Sequence, residues 1–349
     1  MTSLPPEQRA RLVGAKFSSL IASHSGLHPE VTGFPGGAAA LVEGTAWVFL
    51  DDRPATGLGG ALAWAMRHEA TSLAVVADTD TSLLARRAAA FAFPVTVWQV
   101  AGTDLQPAEV APIPSETPVD PAELAAAATL ADVGVEVVIE HGVVTGEVRG
   151  LEVARVVTVN GAVEVHPGVG RNDRDGHAML LGSDGDATQG GAARTALERV
   201  AADIRRLRSG VEADRHPLGR MARSRWLRHE VVVHPDLVGA MTLEPVPGTV
   251  ERTSVGDDGG AFAVGHDAAG SAVVVGCSVG VDLDLVPAAA DVQMVADARS
   301  GSSSRLVLVL PTRDDLAVTR RLAALLGAPA TIVTVPDDWY TATGALRGG

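Results

Sequence analysis

Apolar and polar positions along this chain follow two periods, one near 3.6 residues and one of two, and the switches between them mark out its elements. Pro5 to Ser23 places Leu12, Phe17, Leu20 and Ile21 at roughly helical spacing, which predicts an amphipathic helix. Ala38 to Val42 and Ala46 to Leu50 are apolar runs around Glu43-Gly44-Thr45, the pattern of a hairpin. Leu58 to Arg67 is helical again, and Leu73 to Asp78 and Pro94 to Val100 bracket a further helix as strands. Asp104 to Pro121 is acidic, Pro-rich and aperiodic, so a linker is expected there. Val133 to Ile139, Val143 to Val148, Leu151 to Val159 and Ala162 to Val165 are short β-branched runs broken by Gly and Asn, which predicts an antiparallel sheet with Asn160-Gly161 as its best hairpin turn. Gly182 to Gly191 reads as a loop, and Arg194 to Leu207 and Leu218 to His229 as amphipathic helices. From Ala261 the opening order returns: a hairpin of Phe262 to Val264 with Ala272 to Gly276, a helix Val286 to Ala296, a strand Leu306 to Leu310, a helix, and a strand Thr331 to Val335.

That return is visible residue by residue. Leu73-Ala-Val-Val-Ala, the helix carrying Arg86-Arg87 and Pro94-Val-Thr-Val are matched by Leu306-Val-Leu-Val-Leu, a helix carrying Arg320-Arg321 and Pro329-Ala-Thr-Ile-Val. A repeat of this kind predicts two related units of one architecture. The expected division is therefore a first α/β unit over 1–103, a Pro-rich linker over 104–122, an antiparallel β segment with a polar loop over 123–193, Arg-rich helices over 194–230 and a second α/β unit over 231–349. A duplicated fold can reuse the self-complementary surface of a two-fold dimer, so a pseudo-dimer within one chain is expected, while the oligomeric state stays open.

Composition narrows the chemistry. The chain has 349 residues and 46% hydrophobic content, enough for two or three cores. Lys16 is its only lysine, so no Gly-rich loop is followed by Lys-Ser or Lys-Thr and a P-loop nucleotide site is excluded. The single cysteine, Cys277, has no intrachain disulfide partner. With no apolar signal core at the start and no apolar run long enough to cross a bilayer, a cytoplasmic protein without a membrane partner is expected. A formal net charge of -14 opposes indiscriminate binding to nucleic acid, yet ten arginines crowd between Arg194 and Arg228.

The repeated order of helix, hairpin, helix and strand-helix-strand resembles the core of the restriction-endonuclease-like, or PD-(D/E)XK, superfamily, with Val264-Gly-His-Asp-Ala-Ala-Gly-Ser-Ala-Val-Val-Val-Gly and Arg305-Leu-Val-Leu-Val-Leu-Pro-Thr-Arg-Asp in the place of its central strands. It also looks similar to an uncharacterised family of actinobacterial proteins. The nuclease resemblance implies a divalent metal held by an acidic residue on one strand and a Glu-x-Lys or Asp-x-Lys on the next. This chain departs from that pattern: the corresponding places read Leu50-Asp51-Asp52-Arg53 and Cys277-Ser278-Val279, and neither has the lysine. Arginine does not replace it, because its pKa prevents proton exchange with an attacking water near neutral pH.

Four motifs remain as candidate sites. Gly276-Cys277-Ser278-Val279-Gly280 matches a nucleophile elbow, but the last histidine, His266, precedes the serine, against the chain order of α/β-hydrolases. Gly57-Leu-Gly59-Gly60-Ala61-Leu62 imitates a dinucleotide fingerprint, for which close packing of a Gly-rich helix start is the competing reading. Asp173, Asp175 and His177 alternate along a polar loop, so with Glu147 and Glu152 they would supply catalytic groups or a divalent-metal site, while Arg171 and Arg174 would grip a phosphate. A solvated loop with local ion pairs competes with this reading. Arg205, Arg206, Arg223 and Arg225 are the belt's phosphate-binding candidates, with Trp226 as a stacking partner or a packing residue. The expectation is an α/β protein of two restriction-endonuclease-like three-layer units flanking a middle β-plus-helix segment. Its expected role is that of a nucleic-acid-associated protein with catalytically degenerate nuclease-like modules. The alternatives are a metal-dependent hydrolase of a phosphorylated substrate using the Asp173 loop and, third, a nucleotide-binding protein; no resident cofactor is expected beyond that metal.

Overall fold

The computed structural model describes residues 5–170, 189–209, 213, 215–251 and 259–341, and these form a mixed α/β protein. They fall into two compact units, one built from 1–113, 283–298 and 316–331, the other from 114–282, 299–315 and 332–349. The segment from 231 onward is therefore shared between the two.

The first unit opens with α1 (Pro6–Ser25), started by Pro at its first position and ended by Gly26 at φ 72°. A six-stranded sheet follows in the order β1 (Thr32–Phe34), β2 (Gly37–Val42), β3 (Thr45–Leu50), β4 (Ser72–Ala77), β5 (Val95–Ala101) and β6 (Asp104–Pro107). The β1–β2 and β2–β3 pairs are antiparallel, β3–β4 and β4–β5 parallel, and β5–β6 antiparallel. Helices α2 (Leu58–Arg67) and α3 (Thr81–Ala88) make the parallel crossovers. Every residue of β3 and β4 after the first is buried, as strands covered on both faces require. Phe17, Leu20 and Ile21 of α1 enter the core, with Phe17 stacked on Phe49 at 5.9 Å between ring centroids. Leu12, expected on the same stripe, is 55% exposed, because the helix rotates it away from the sheet. Strands β1 and β6 were not anticipated; they are short edge strands, and β6 takes the first four residues of the expected linker.

In the same unit two arginines of α3 reach α8 (Leu285–Ser300). Arg86 donates through Nε (2.7 Å) and Nη2 (3.1 Å) to the two oxygens of Asp291, a bidentate pair, and through Nη1 to Pro112 O at 2.7 Å. Arg87 donates to Asp291 at 3.2 Å, to Asp284 at 2.9 Å and to Ala55 O at 2.7 Å. Burial pushes the Asp284 carboxyl above the usual aspartate range, against the pull of Arg87 and of the Gly59 N–H that it accepts. Arg320 and Arg321, the counterparts in the repeat, are exposed on α9 (Ala317–Ala324), so the matching pairs differ in burial. The turns after α3 and α9 pair with each other, Ala92 N–H to Leu325 O and Gly327 N–H to Ala90 O, both at 2.8 Å.

The second unit holds α4 (Pro121–Asp132), absent from the sequence reading because its alanine-rich run has no clear apolar stripe, and an antiparallel sheet of β7 (Glu136–Glu140), β8 (Val143–Val148), β9 (Leu151–Val159) and β10 (Ala162–Pro167) in the order β10-β9-β8-β7. Its hairpins turn on the positive-φ pairs His141-Gly142, Arg149-Gly150 and Asn160-Gly161. Then come α5 (Gln189–Leu207), α6 (Pro217–Arg220) and α7 (Arg223–Val233). The single helix expected over Leu218 to His229 is thus two, broken at Met221-Ala222 with Ala222 at φ 49°. A second mixed sheet runs β11 (Thr242–Val246), β12 (Ala261–His266), β13 (Ala272–Cys277), β14 (Arg305–Pro311) and β15 (Thr331–Val335). Its β11–β12 and β12–β13 pairs are antiparallel and β13–β14 parallel, the same senses as β1 to β4. Helix α7 packs on this sheet through Trp226, Leu227 and Val231, which share a core with Val273, Val275, Cys277 and Trp339.

Asp291→Asn tests the ionic lock in the first unit. It leaves two buried guanidinium groups facing a neutral amide, so we expect a loss of about 3–5 kcal/mol in stability, read by denaturant unfolding. An unchanged midpoint would contradict this assignment.

Candidate phosphate-binding cleft

The second unit contains a half-open cavity of about 500 Å³ bounded by β7, β8, the end of α5 and α7. Glu136, Glu147, Arg149, Arg205, Arg206 and His229 reach its wall. Each is placed by a local feature of the chain.

Helix α7 carries Arg225, Arg228 and His229 at i, i+3 and i+4, so the three share one face and point at the carboxylates of β7 and β8. Glu136, Glu147 and Glu152 stand opposite one another across β7, β8 and β9, where like charges repel unless cations intervene. Arg228 supplies 2.8 Å and 3.2 Å bonds to Glu147 and Glu140, while Arg225 bonds Glu140 at 3.2 Å and pairs with Glu147. Arg155 meets Glu152 at 3.1 Å, and His229 Nδ1 lies 2.7 Å from Glu136 Oε2. Burial acts to raise the Glu136 pKa, but the bond to His229 and the charges of His229, Arg228 and Arg225 outweigh it and hold the carboxyl below its usual range.

Arg149 occupies the β8–β9 turn at φ 48°. Gly150 follows it because a Cβ there would collide with the backbone of Arg225 and Trp226. Arg149 and Arg208 exchange bonds, each guanidinium donating to the other's carbonyl, which ties the turn to the end of α5. Arg205 and Arg206 lie in the last turn of α5, where cations suit the helix dipole. Arg205 bonds Val133 O at 2.9 Å and Gly134 O at 2.6 Å, whereas Arg206 is 82% exposed at its side chain beside Asp203.

The expected belt is therefore divided. Arg205 and Arg206 come together at the cleft, but Arg225 is buried against glutamates, so its charge is already met. Arg223 lies over the Tyr340 ring at 4.7 Å, away from the cleft wall. Trp226 is fully buried beneath Arg208 and beside Trp339, which leaves packing, not base stacking, as its role. Glu147 and Glu152 do meet across the sheet, each engaged by arginine. Asp173, Asp175, His177, Arg171 and Arg174 lie outside the described residues, as does most of the Gly182 to Gly191 loop. Among the described residues no three His, Cys, Asp or Glu side chains are grouped as metal ligands. The sequence reading missed Glu136, Arg149 and His229; the R-x-x-R-H spacing on α7 was the available signal.

The remaining motifs serve packing. Gly59 donates to Asp284 at 3.1 Å, and a Cβ there would overlap the backbone of Leu283, so the protein's own carboxylate occupies the start of α2. Ser278 is fully buried, and burial pushes the neighbouring Cys277 thiol up to about 12, so neither is a nucleophile open to solvent.

Glu136→Gln tests the histidine–carboxylate pair through pH. A carboxyl held below its ordinary value of 4.5 contributes stability above that pH and loses it as pH falls through the lowered value. The variant should therefore melt below wild type at about pH 6, with the gap closing toward about pH 3. A gap independent of pH would refute the pairing.

Comparison of the chain with protein-family models, with curated proteins and with solved structures finds no match.

Proposed function

We propose that this chain is a nucleic-acid-associated protein whose phosphate contact is the cleft formed by Arg149, Arg205, Arg206 and His229, and whose two nuclease-like modules are a duplicated, non-cleaving scaffold. One observation carries the reading: in a chain of net charge -14, three arginines from a hairpin turn and a helix converge, with a histidine from a second helix, on one half-open cavity. An acidic surface repels a polyanion everywhere except where such a focus exists. Guanidinium groups suit the task, since their N–H fork matches two phosphate oxygens at once.

The scaffold reading draws on the two places where the resemblance implies a metal site. Asp51 is held by Arg9 at 2.8 Å, and the other place is the buried Cys277-Ser278 pair. Neither carries in its own run of residues the carboxylate-x-lysine of a PD-(D/E)XK centre. The shared pairing senses of β1–β4 and β11–β14 support descent of both modules from one ancestor.

Fluorescence anisotropy with a labelled single-stranded oligonucleotide tests the proposal. Binding should weaken with salt, with a log–log slope no steeper than about -2, the limit for three phosphates neutralised by the three arginines. Arg206→Ala should weaken it by about tenfold without moving the melting temperature, because that side chain is exposed. No binding by wild-type protein at low salt would end the proposal.

A further inference from the structure

We infer that the cleft recognises a terminal phosphomonoester, the phosphorylated end of a strand, in preference to an internal phosphodiester. The inference rests on the reading of the cleft as a phosphate site and names the form of phosphate it takes.

Charge is the first reason. Of the two carboxylates on the wall, Glu147 is met by Arg225 and Arg228 from α7, and Glu136 by His229. Among the described lining residues the three guanidinium groups of Arg149, Arg205 and Arg206 outnumber the one carboxylate not met by arginine, Glu136. The pair of Arg206 with Asp203 is solvent-exposed, so it competes weakly with a ligand. A surplus of more than one positive charge favours the dianion of a monoester over the single charge of a diester.

Shape is the second. A cavity of about 500 Å³ has the size of a small-ligand pocket, whereas proteins that follow an internal backbone use a groove that tracks it. A strand end enters a pocket with one chain connection; an internal phosphate must bring two.

The third reason is the orientation of His229. Glu136 takes its Nδ1 at 2.7 Å, which leaves Nε2 as the ring nitrogen for a ligand in the cavity. When the ring is doubly protonated, Nδ1–H goes to Glu136 and Nε2–H donates to a phosphate oxygen. That bond adds to those from guanidinium groups and is strongest to a doubly charged oxygen cluster.

The test is competition and direct binding with short single-stranded oligonucleotides of one sequence carrying a 5′-phosphate, a 3′-phosphate or hydroxyl ends, with a nucleoside monophosphate as the small-molecule arm. Wild-type protein should bind one phosphorylated form on the order of tenfold more tightly than the hydroxyl form, about 1.4 kcal/mol. His229→Gln and Arg206→Gln should both remove that preference, and their melting temperatures report whether the fold is intact. Equal binding of all ends by wild type overturns the inference while leaving nucleic-acid association standing. A preference retained in both variants also overturns it, since the site then lies elsewhere. Binding of the monophosphate as tight as that of the phosphorylated strand upholds monoester recognition and overturns the nucleic-acid reading instead.

Discussion

The arrangement of the second unit depends on one constraint: charges removed from water must meet opposite charges. Helix α7 satisfies it in two directions. One face, with Trp226, Leu227 and Val231, completes the apolar core on the β11–β15 sheet, and the other sets Arg225, Arg228 and His229 against the row Glu140, Glu147 and Glu136. Neither half stands without the other, because removing one partner from a buried ion pair costs about 3–5 kcal/mol. The helix is thereby fixed in rotation, and with it the ring of His229 at the cleft.

The same constraint recurs in the first unit with different residues. Arg86 and Arg87 of α3 enclose Asp291, which is wholly buried, and Arg87 also holds Asp284. Asp284 in turn accepts the N–H of Gly59 at the start of α2, so one ionic cluster connects three helices and the backbone at Ala55. Buried pairs of this kind add geometric definition more than net stability. Arg86 with Arg87, and Arg225 with Arg228, both serve as locks, and the cleft draws on the arginines near the second pair.

Period and turn chemistry made most of the fold legible. The α2 helix and β15 strand have the expected bounds, and the Asn160-Gly161 turn lies where a hairpin turn was predicted. What escaped were elements without such signals. Strand β1 has three residues and β11 contains Pro245, and α4 spreads its alanines round the helix. The break before α7 depends on Ala222 at positive φ, which residue type alone does not announce. The site was half legible. Arg205 and Arg206 were visible as a basic pair, but burial of Arg225 depends on glutamates some eighty residues earlier, at Glu140 and Glu147. Arg149 reaches the cleft only because Gly150 lets the turn press against α7.

Arginine-selective chemical modification read by mass spectrometry tests the division of the belt most directly. In folded protein, Arg206 should react readily and be protected by a phosphorylated oligonucleotide, while Arg225, Arg228 and Arg87 stay unmodified until the chain is unfolded. Modification of Arg225 or Arg228 in the folded state, or a rate at Arg206 indifferent to the oligonucleotide, would contradict the account.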